Sequence, residues 1–294
     1  MKSYREILTD GGSRVAEQVL EQKLKIKKNL SSIRHLVAIG SGKGGVGKST
    51  VTMQVAASLG SMGEKVSVLD ADLNGPSLAR FSGVGSAVFV PSGNGFSVPK
   101  TKGGIGVVSF GTIVPEPEAV SFESVSSGES YVWRSTKEFS VLGEILSGAN
   151  WGELDYLLID LPPGAERTFQ FAEFLGPRAK FVLVTIPSDM SIGVVRRGLS
   201  ALKKTQNEVL GLIENMSGYF CPECKKEKPL FPSSKKIDLG IPCLGRIPFD
   251  PKLAEACDRG IPLTDCHSRS SFEPLREISI RLREILLNLG GHPT

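Results

Sequence analysis

The segment Ser41-Gly42-Lys43-Gly44-Gly45-Val46-Gly47-Lys48-Ser49-Thr50 constrains this chain more than any other. Gly42, Gly47, Lys48 and Ser49 satisfy the pattern G-x-x-x-x-G-K-[ST]. Its glycines let the backbone curl until successive N–H groups point inward at phosphate oxygens. Lys48 supplies a point charge for the β- and γ-phosphates, and the Ser49 hydroxyl suits a Mg²⁺ ligand. The flanks agree with this reading. His35–Ile39 reads as a strand before the loop, and Thr50–Leu59 as a helix after it. Bound phosphates would therefore sit on a helix N-terminus.

The rest of the chain continues the same alternation. Lys65–Leu69 reads as a buried parallel strand that delivers Asp70 and Asp72 at its carboxyl end. Asn74–Ser77 is a turn into a short helix, and Thr136–Leu146 reads as a helix. Tyr156–Asp160 is an apolar strand ending in a carboxylate, followed by a sharp turn at Pro162-Pro163-Gly164. Strands are expected at Lys180–Ile186, Val209–Glu214 and Leu244–Ile247, and helices at Ser191–Lys204 and Pro251–Cys257. Residues 82–130 are rich in Gly, Ser and Pro; short strands at Phe96–Val98 and Ile105–Phe110 stand among loops. The predicted fold class is α/β, with a doubly wound, mostly parallel sheet flanked by helices. The domain reading is an N-terminal helical extension at 1–32, with its helix near 13–30, and one ATPase domain over 33–294.

Composition excludes little. With 294 residues, 40% apolar and 22% charged, the chain is an ordinary globular protein with ample core. A formal charge of +4 does not argue for nucleic acid, and no nucleic-acid partner is expected. No run of about 18 apolar residues predicts a membrane span, and Met1–Asp10 lacks the apolar core of a signal peptide. The expectation is a cytoplasmic protein without stable membrane insertion. The basic face of the first helix (Lys23, Lys25, Lys27, Lys28) reads as solvated rather than membrane-bound. The stripe Phe272, Leu275, Ile278, Leu282, Ile285, Leu289 reads as a closing helix packed on the core rather than a membrane-targeting one.

Two constellations carry chemistry. Phosphate loop, Asp70, Asp72 and Asp160 occur in the order a Mg–ATP site needs. Asp160 is expected beside Mg²⁺ with Ser49, and one of Asp70 or Asp72 beside the attacking water. Asn215, after a strand, is expected to hydrogen-bond the adenine edge, since an amide both donates and accepts. The second constellation is Cys221-Pro222-Glu223-Cys224. Two thiolates reach one metal, yet a zinc ion or an iron–sulfur cluster wants four ligands. The other three cysteines, Cys243, Cys257 and Cys266, are scattered. A homodimer in which each copy gives two thiolates at the twofold axis solves the count. A zinc staple, or an inert loop, is the alternative reading of the pair.

The string Gly42–Ser49 resembles the deviant phosphate loop of the MinD/ParA/nitrogenase-iron-protein class of ATPases. That resemblance implies that Lys43 acts in trans, reaching the partner's nucleotide. A wider set spans residues from about 33 to 265: Leu69–Ser77, Trp133-Arg134, Trp151–Tyr156, Ile159–Gly164, Glu214–Ser217 with the cysteine pair, and Gly245-x-Ile247-Pro248. It resembles the Mrp/ApbC iron–sulfur cluster carrier ATPases. The resemblance implies ATP and Mg²⁺ binding, catalytic roles for Lys43, Lys48, Asp70 and Asp72, and nucleotide contacts along Gly42, Lys43, Gly44, Gly45, Val46, Gly47, Lys48, Ser49 and Thr50. It also implies a labile [4Fe–4S] cluster on Cys221 and Cys224 of two subunits, received from a scaffold and passed to apo iron–sulfur client proteins. A positioning switch of the MinD/ParA kind and a zinc-stapled regulatory ATPase are the alternatives. The sequence departs from that family at Ala165-Glu166-Arg167, where Thr-Gly-Asp is usual, and at Ser135-Thr136, where Gly-Pro is usual.

Overall fold

Strand β1 (Ile33–Ser41) is apolar toward both of its faces because both are covered. Val37 and Ile39 enter one core with Met53, Leu59, Tyr156 and Leu158. Leu36 and Ala38 enter the other with Leu157, Ile159, Phe171 and Phe181. A strand buried on both sides gives the unbroken apolar run that marks it in the sequence.

The computed structural model describes residues 15–73, 75–84, 90–93, 95–109, 131–221, 223–224, 226–231, 238–259, 261 and 269–290. Helix α1 (Val15–Asn29) precedes β1. After it come α2 (Lys48–Ser61), β2 (Val66–Asp70), α3 (Leu78–Ser82), β3 (Pro91–Ser92), β4 (Gly95–Ser97) and β5 (Gly106–Val108). Next are α4 (Tyr131–Gly148), β6 (Ala149–Asn150), β7 (Leu154–Asp160), α5 (Ala165–Leu175), β8 (Lys180–Thr185) and α6 (Asp189–Leu202). The described chain ends with β9 (Val209–Phe220), β10 (Glu227–Lys228), β11 (Cys243–Phe249), α7 (Pro251–Asp258) and α8 (Arg269–Gly290). Asn74, Pro222, Cys266, residues 110–130 and the first half of the expected N-terminal extension fall outside the described residues, as do the side chains of Trp133 and Arg134.

The main sheet runs β10-β9-β8-β1-β7-β2-β5, with β11 also paired to β9. All its pairings are parallel except β10 with β9. β1 lies between β7 and β8, where the winding reverses, so its carboxyl end opens into the crevice such sheets use for ligands. A separate three-stranded sheet joins β3, β4 and β6.

Both terminal helices are part of this body. Helix α1 lies on α4: Gln22 Nε2 donates to Ser140 O, and Asn29 Nδ2 donates to Leu146 O and Ala149 O, both at 2.8 Å. Helix α8 buries Leu275, Ile278, Leu282 and Leu286 in the core shared with α2. The buried stripe therefore passes through Leu286, while Leu289 is exposed. Arg281 Nη1 donates to Leu244 O, and Arg283 pairs with Glu64 at 2.6 Å. This is the closing helix expected from the periodicity. Among the described residues, no helix is long and apolar enough to cross a membrane.

One buried base sits far from the crevice. His35 is only 8% exposed, packs on the Tyr156 ring at 5.2 Å, and has no partner for Nε2. Burial, then Arg34 and Lys180, lower its pKa from 6.5 to about 4, against the opposing pull of Asp155. The folded protein therefore keeps His35 neutral where the unfolded chain would protonate it. Stability is complete above pH 6.5 and falls as the pH drops from 6.5 toward 4, with a slope of at most about 1.4 kcal/mol per pH unit. Denaturant titrations at pH 7 and pH 5 should show the loss in the wild type, and a smaller one in His35→Phe.

Candidate functional site

Three carboxylates and the phosphate loop meet at the carboxyl edge of the sheet. Asp70 ends β2 and Asp160 ends β7; the two are register partners on adjacent parallel strands, and Ile39 of β1 faces Asp160 from the other side. The loop follows directly from β1. Gly47 caps α2 in the left-handed region, at φ 77°, and offers no side chain to cap it. A Cβ on Gly47 would collide with Asn215 Nδ2, so both backbone conformation and space demand glycine here.

Asp160 is fully buried and fully partnered. Oδ2 lies 2.7 Å from Lys48 Nζ and accepts the Ser49 hydroxyl at 2.6 Å; Oδ1 accepts the Thr52 hydroxyl at 2.8 Å. Lys48 itself is 7% exposed. The residues chosen for phosphate and Mg²⁺ are therefore in mutual contact. A hydroxyl, a buried carboxylate and a second buried carboxylate nearby form the oxygen donor set that Mg²⁺ requires, so the residues fit that ion.

Asp70 and Asp72 differ sharply. Asp70 is 1% exposed; Oδ1 accepts from Asp72 N, and Oδ2 accepts from Ser77 N, Leu78 N and the Ser109 hydroxyl. Burial, and then the Asp160 carboxylate, raise its pKa to about 7 against the downward pull of Leu78 N–H, Ser109 and Lys48. Asp72 is half-buried, and among the described residues its carboxylate accepts one hydrogen bond, from Gly75 N–H to Oδ1 at 3.2 Å. Of the two, Asp72 has the carboxylate oxygens left to meet a water.

Asn215 departs from its expected place. It lies inside the twelve-residue β9, not after a strand's end, and its Nδ2 donates to Val46 O at 2.9 Å. Part of its amide is thus committed to the phosphate loop. Lys43 is half-buried; Ser41 Oγ donates to its carbonyl at 2.9 Å, and among the described residues no carboxylate pairs with its ammonium. On the opposite side, Gly164 N donates to Ser41 O at 2.8 Å and fastens the Pro162-Pro163-Gly164 turn to the end of β1.

The departure at residues 165–167 has a structural counterpart. Arg167, in the first turn of α5, lies 2.5 Å from Glu138 of α4, donates to Gln170 Oε1 at 2.8 Å, and stacks at 5.5 and 5.6 Å from the Phe139 and Phe171 rings. The Glu138 side chain is 9% exposed. Burial raises its pKa, Arg167 opposes this, and Asp72 adds to the rise.

Cys221 and Cys224 occupy the loop of an antiparallel hairpin. Phe220 pairs with Glu227 and Tyr219 with Lys228, and Cys221 N donates to Lys226 O at 3.0 Å. Cys221 is at the margin of burial and Cys224 is exposed; both are free thiols. Backbone N–H groups of Cys224 and Glu223, then the Cys224 thiol, lower the Cys221 pKa. A sulfur held by peptide N–H groups is suited to thiolate ligation. Cys257 Sγ accepts from Gln54 Nε2 at 3.6 Å, and among the described residues no third His, Cys, Asp or Glu joins the Cys221–Cys224 pair in a metal-holding group.

Thr52, Ser109 and Glu138 touch the residues described above without having been singled out from sequence, and Arg167 was marked there only as a departure from the family pattern. Thr52 had a signal: it sits one helical turn beyond Lys48, on the same face. Ser109 had none, because only the pairing of β5 with β2 brings it to Asp70.

Comparisons with known proteins agree with this fold. The ParA family model described as the NUBPL iron-transfer P-loop NTPase matches residues 32–282. The iron-sulfur cluster carrier protein of Methanocaldococcus jannaschii is 38% identical over 262 residues, 87% of either chain. The cytosolic Fe-S cluster assembly factor CFD1 of Saccharomyces cerevisiae is 36% identical, over 87% of this chain and 89% of that one. Among solved structures, an Archaeoglobus fulgidus nucleotide-binding protein in complex with ADP superposes with a TM-score of 0.70 at 31% identity, over 85% of this chain and 95% of that one. MinD of Pyrococcus horikoshii, complexed with Mg-ADP, reaches 0.61 at 22% identity, over 88% and 98%, a likeness of fold.

The Arg167–Glu138 pair generates a stability prediction. Arg167→Met leaves a buried carboxylate alone and should cost about 3–5 kcal/mol. Adding Glu138→Met should recover a large part of that loss. Denaturant titrations of both single variants and the double variant measure the coupling; additive losses would show that the ion pair is not there.

Proposed function

Since the chain belongs to the ParA/NUBPL family of iron-transfer P-loop NTPases, we propose that it is an ATP-dependent carrier that holds a [4Fe–4S] cluster on Cys221 and Cys224 and passes it to apo-proteins. The observation that carries this reading is the coexistence, on one sheet, of a complete phosphate site and an exposed hairpin bearing two free thiols. The names of the relatives support the iron–sulfur cargo over a zinc staple.

The nucleotide half works as follows. ATP phosphates enter the curl of Gly42–Thr50 and meet backbone N–H groups at the N-terminus of α2. Lys48 leaves Asp160 for the β- and γ-phosphates. Ser49 and Asp160 would hold Mg²⁺, which would supply neutralisation of the phosphate charge. Asp72 orients the attacking water; Asp70, wrapped by four donors, keeps the β2 end and the start of α3 in place. Water attacks the γ-phosphorus, the bond to the ADP oxygen breaks, and Lys48 stabilises the charge on the leaving group. Lys43 reaches the phosphates of a second copy, and the remaining donor and acceptor of the Asn215 amide read the adenine edge.

The cargo half follows from counting ligands. One chain offers two thiolates and a [4Fe–4S] cluster takes four, so two copies share the cluster across their twofold axis. Exposure of the hairpin suits a cargo that must leave. The cytoplasm, where thiols stay reduced, suits its chemistry. A client protein accepts the cluster when its own ligands displace these four sulfurs.

Anaerobic reconstitution with iron and sulfide tests the reading. The wild type should acquire visible charge-transfer absorption with iron and sulfide in equal amounts, Cys221→Ser and Cys224→Ser should not, and an apo-acceptor should gain the cluster. A protein that holds zinc and no sulfide, indifferent to either substitution, would refute the carrier reading.

A further inference from the structure

Strand β9 connects the two halves of the site, and it is broken between them. Its pairing with β11 advances from Ile247↔Asn215 to Phe249↔Tyr219. Pro248 alone thus faces Met216, Ser217 and Gly218, which form a bulge. Met216 adopts φ 52°, the positive φ of a non-glycine residue among the described residues. A methionine in the left-handed region is held there against its own preference by its surroundings.

Those surroundings are the phosphate loop on one side and the cysteine hairpin on the other. Asn215, immediately before the bulge, donates to Val46 O. The Met216 Cε methyl lies 3.7 Å from where a Gly47 Cβ would stand, so the side chain rests against the loop glycine. On the far side, the exposed Glu227 side chain of β10 lies over Gly218. Tyr219 and Phe220 then pair with β10, and Cys221 begins the hairpin loop. Only residues 216–220 separate the amide that touches the phosphate loop from the first cysteine.

We propose that the Met216–Gly218 bulge is the coupling element between nucleotide and cargo, with Met216 as its positioning residue. Phosphate binding re-aims the N–H groups of Val46 and Gly47. This shifts the carbonyl that Asn215 holds and the surface on which Met216 rests. The bulge answers by changing its turn, because Asn215 ahead of it is held in the sheet by its pairing with Ile247. Gly218, packed beneath Glu227, passes the change to β10, and the Cys221–Cys224 loop moves with it. Coupling of this kind needs an element with two arrangements, each favoured by a different state of the nucleotide site. A bulge around a left-handed methionine is such an element. The inference rests on the reading of Cys221 and Cys224 as the cargo site, but its test does not need the cargo.

The test is the alkylation rate of Cys221 and Cys224 in the reduced, cluster-free, full-length protein, resolved by peptide mass. It is run without nucleotide, with Mg-ADP and with a non-hydrolysable Mg-ATP analogue, each saturating by a prior titration of every variant. Nucleotide should change the Cys221 rate by about fivefold or more in the wild type, and by less than about twofold in Met216→Gly, where the left-handed conformation carries no penalty. Met216→Leu, which keeps both the apolar contact and the penalty, should retain the wild-type response. A wild-type rate indifferent to nucleotide, or a full response in Met216→Gly, would overturn the proposal. A nucleotide response in a protein that never accepts iron and sulfide would leave the coupling intact and remove the carrier reading instead.

Discussion

The contact on which the site depends is the buried carboxylate of Asp160, at the end of a central strand, with Lys48, Ser49 and Thr52 gathered on it. An isolated carboxylate at zero exposure is too costly to keep, so the strand, the phosphate loop and the first turn of α2 must assemble together. Asp70 stands beside it in register, and two buried carboxylates on adjacent strands repel. Four donors on Asp70 and the Lys48 ammonium offset that repulsion. The same arrangement suits the proposed binding of a cation and phosphate, since its hydroxyl and carboxylates are oxygen donors collected around one positive group.

Much of this was legible in the sequence, for a local reason. β1, β2, β7 and β8 are covered on both faces, so each is rich in apolar residues, and the loop after β1 carries a fixed spacing. The CxxC pair was equally plain, though its hairpin was not, since β10 is two residues long and depends on pairing with the end of β9. Asn215 misled because the apolar run stops at Ile213 while the strand continues through polar residues to Phe220. Nothing local announces α5, whose buried contacts, Thr168, Phe171 and Ala172, are set by Gly40 and α4. Arg167 shows the same limit: read alone it is a departure from a family pattern, and only the fold supplies Glu138 and two aromatic rings. Long-range partners, not propensities, were the missing information.

The nucleotide crevice and the cysteine hairpin stand at two places along a single strand. The stretch from Asn215 to Cys221 gives the protein a short route between the two, and the fold offers no third or fourth ligand near the thiols among the described residues. On the proposed reading the cargo takes sulfur from a second copy, and the second copy brings its own phosphate loop and Lys43. Sharing a cluster and sharing a nucleotide are then two consequences of that proposed pairing.

Native mass spectrometry of the anaerobically reconstituted protein, held with a non-hydrolysable Mg-ATP analogue, addresses that pairing most directly. The account predicts a two-chain species carrying one four-iron, four-sulfide unit, which loses its inorganic mass when the chains part. A metal-loaded single chain, or a pair of chains each retaining its own metal after separation, would contradict it.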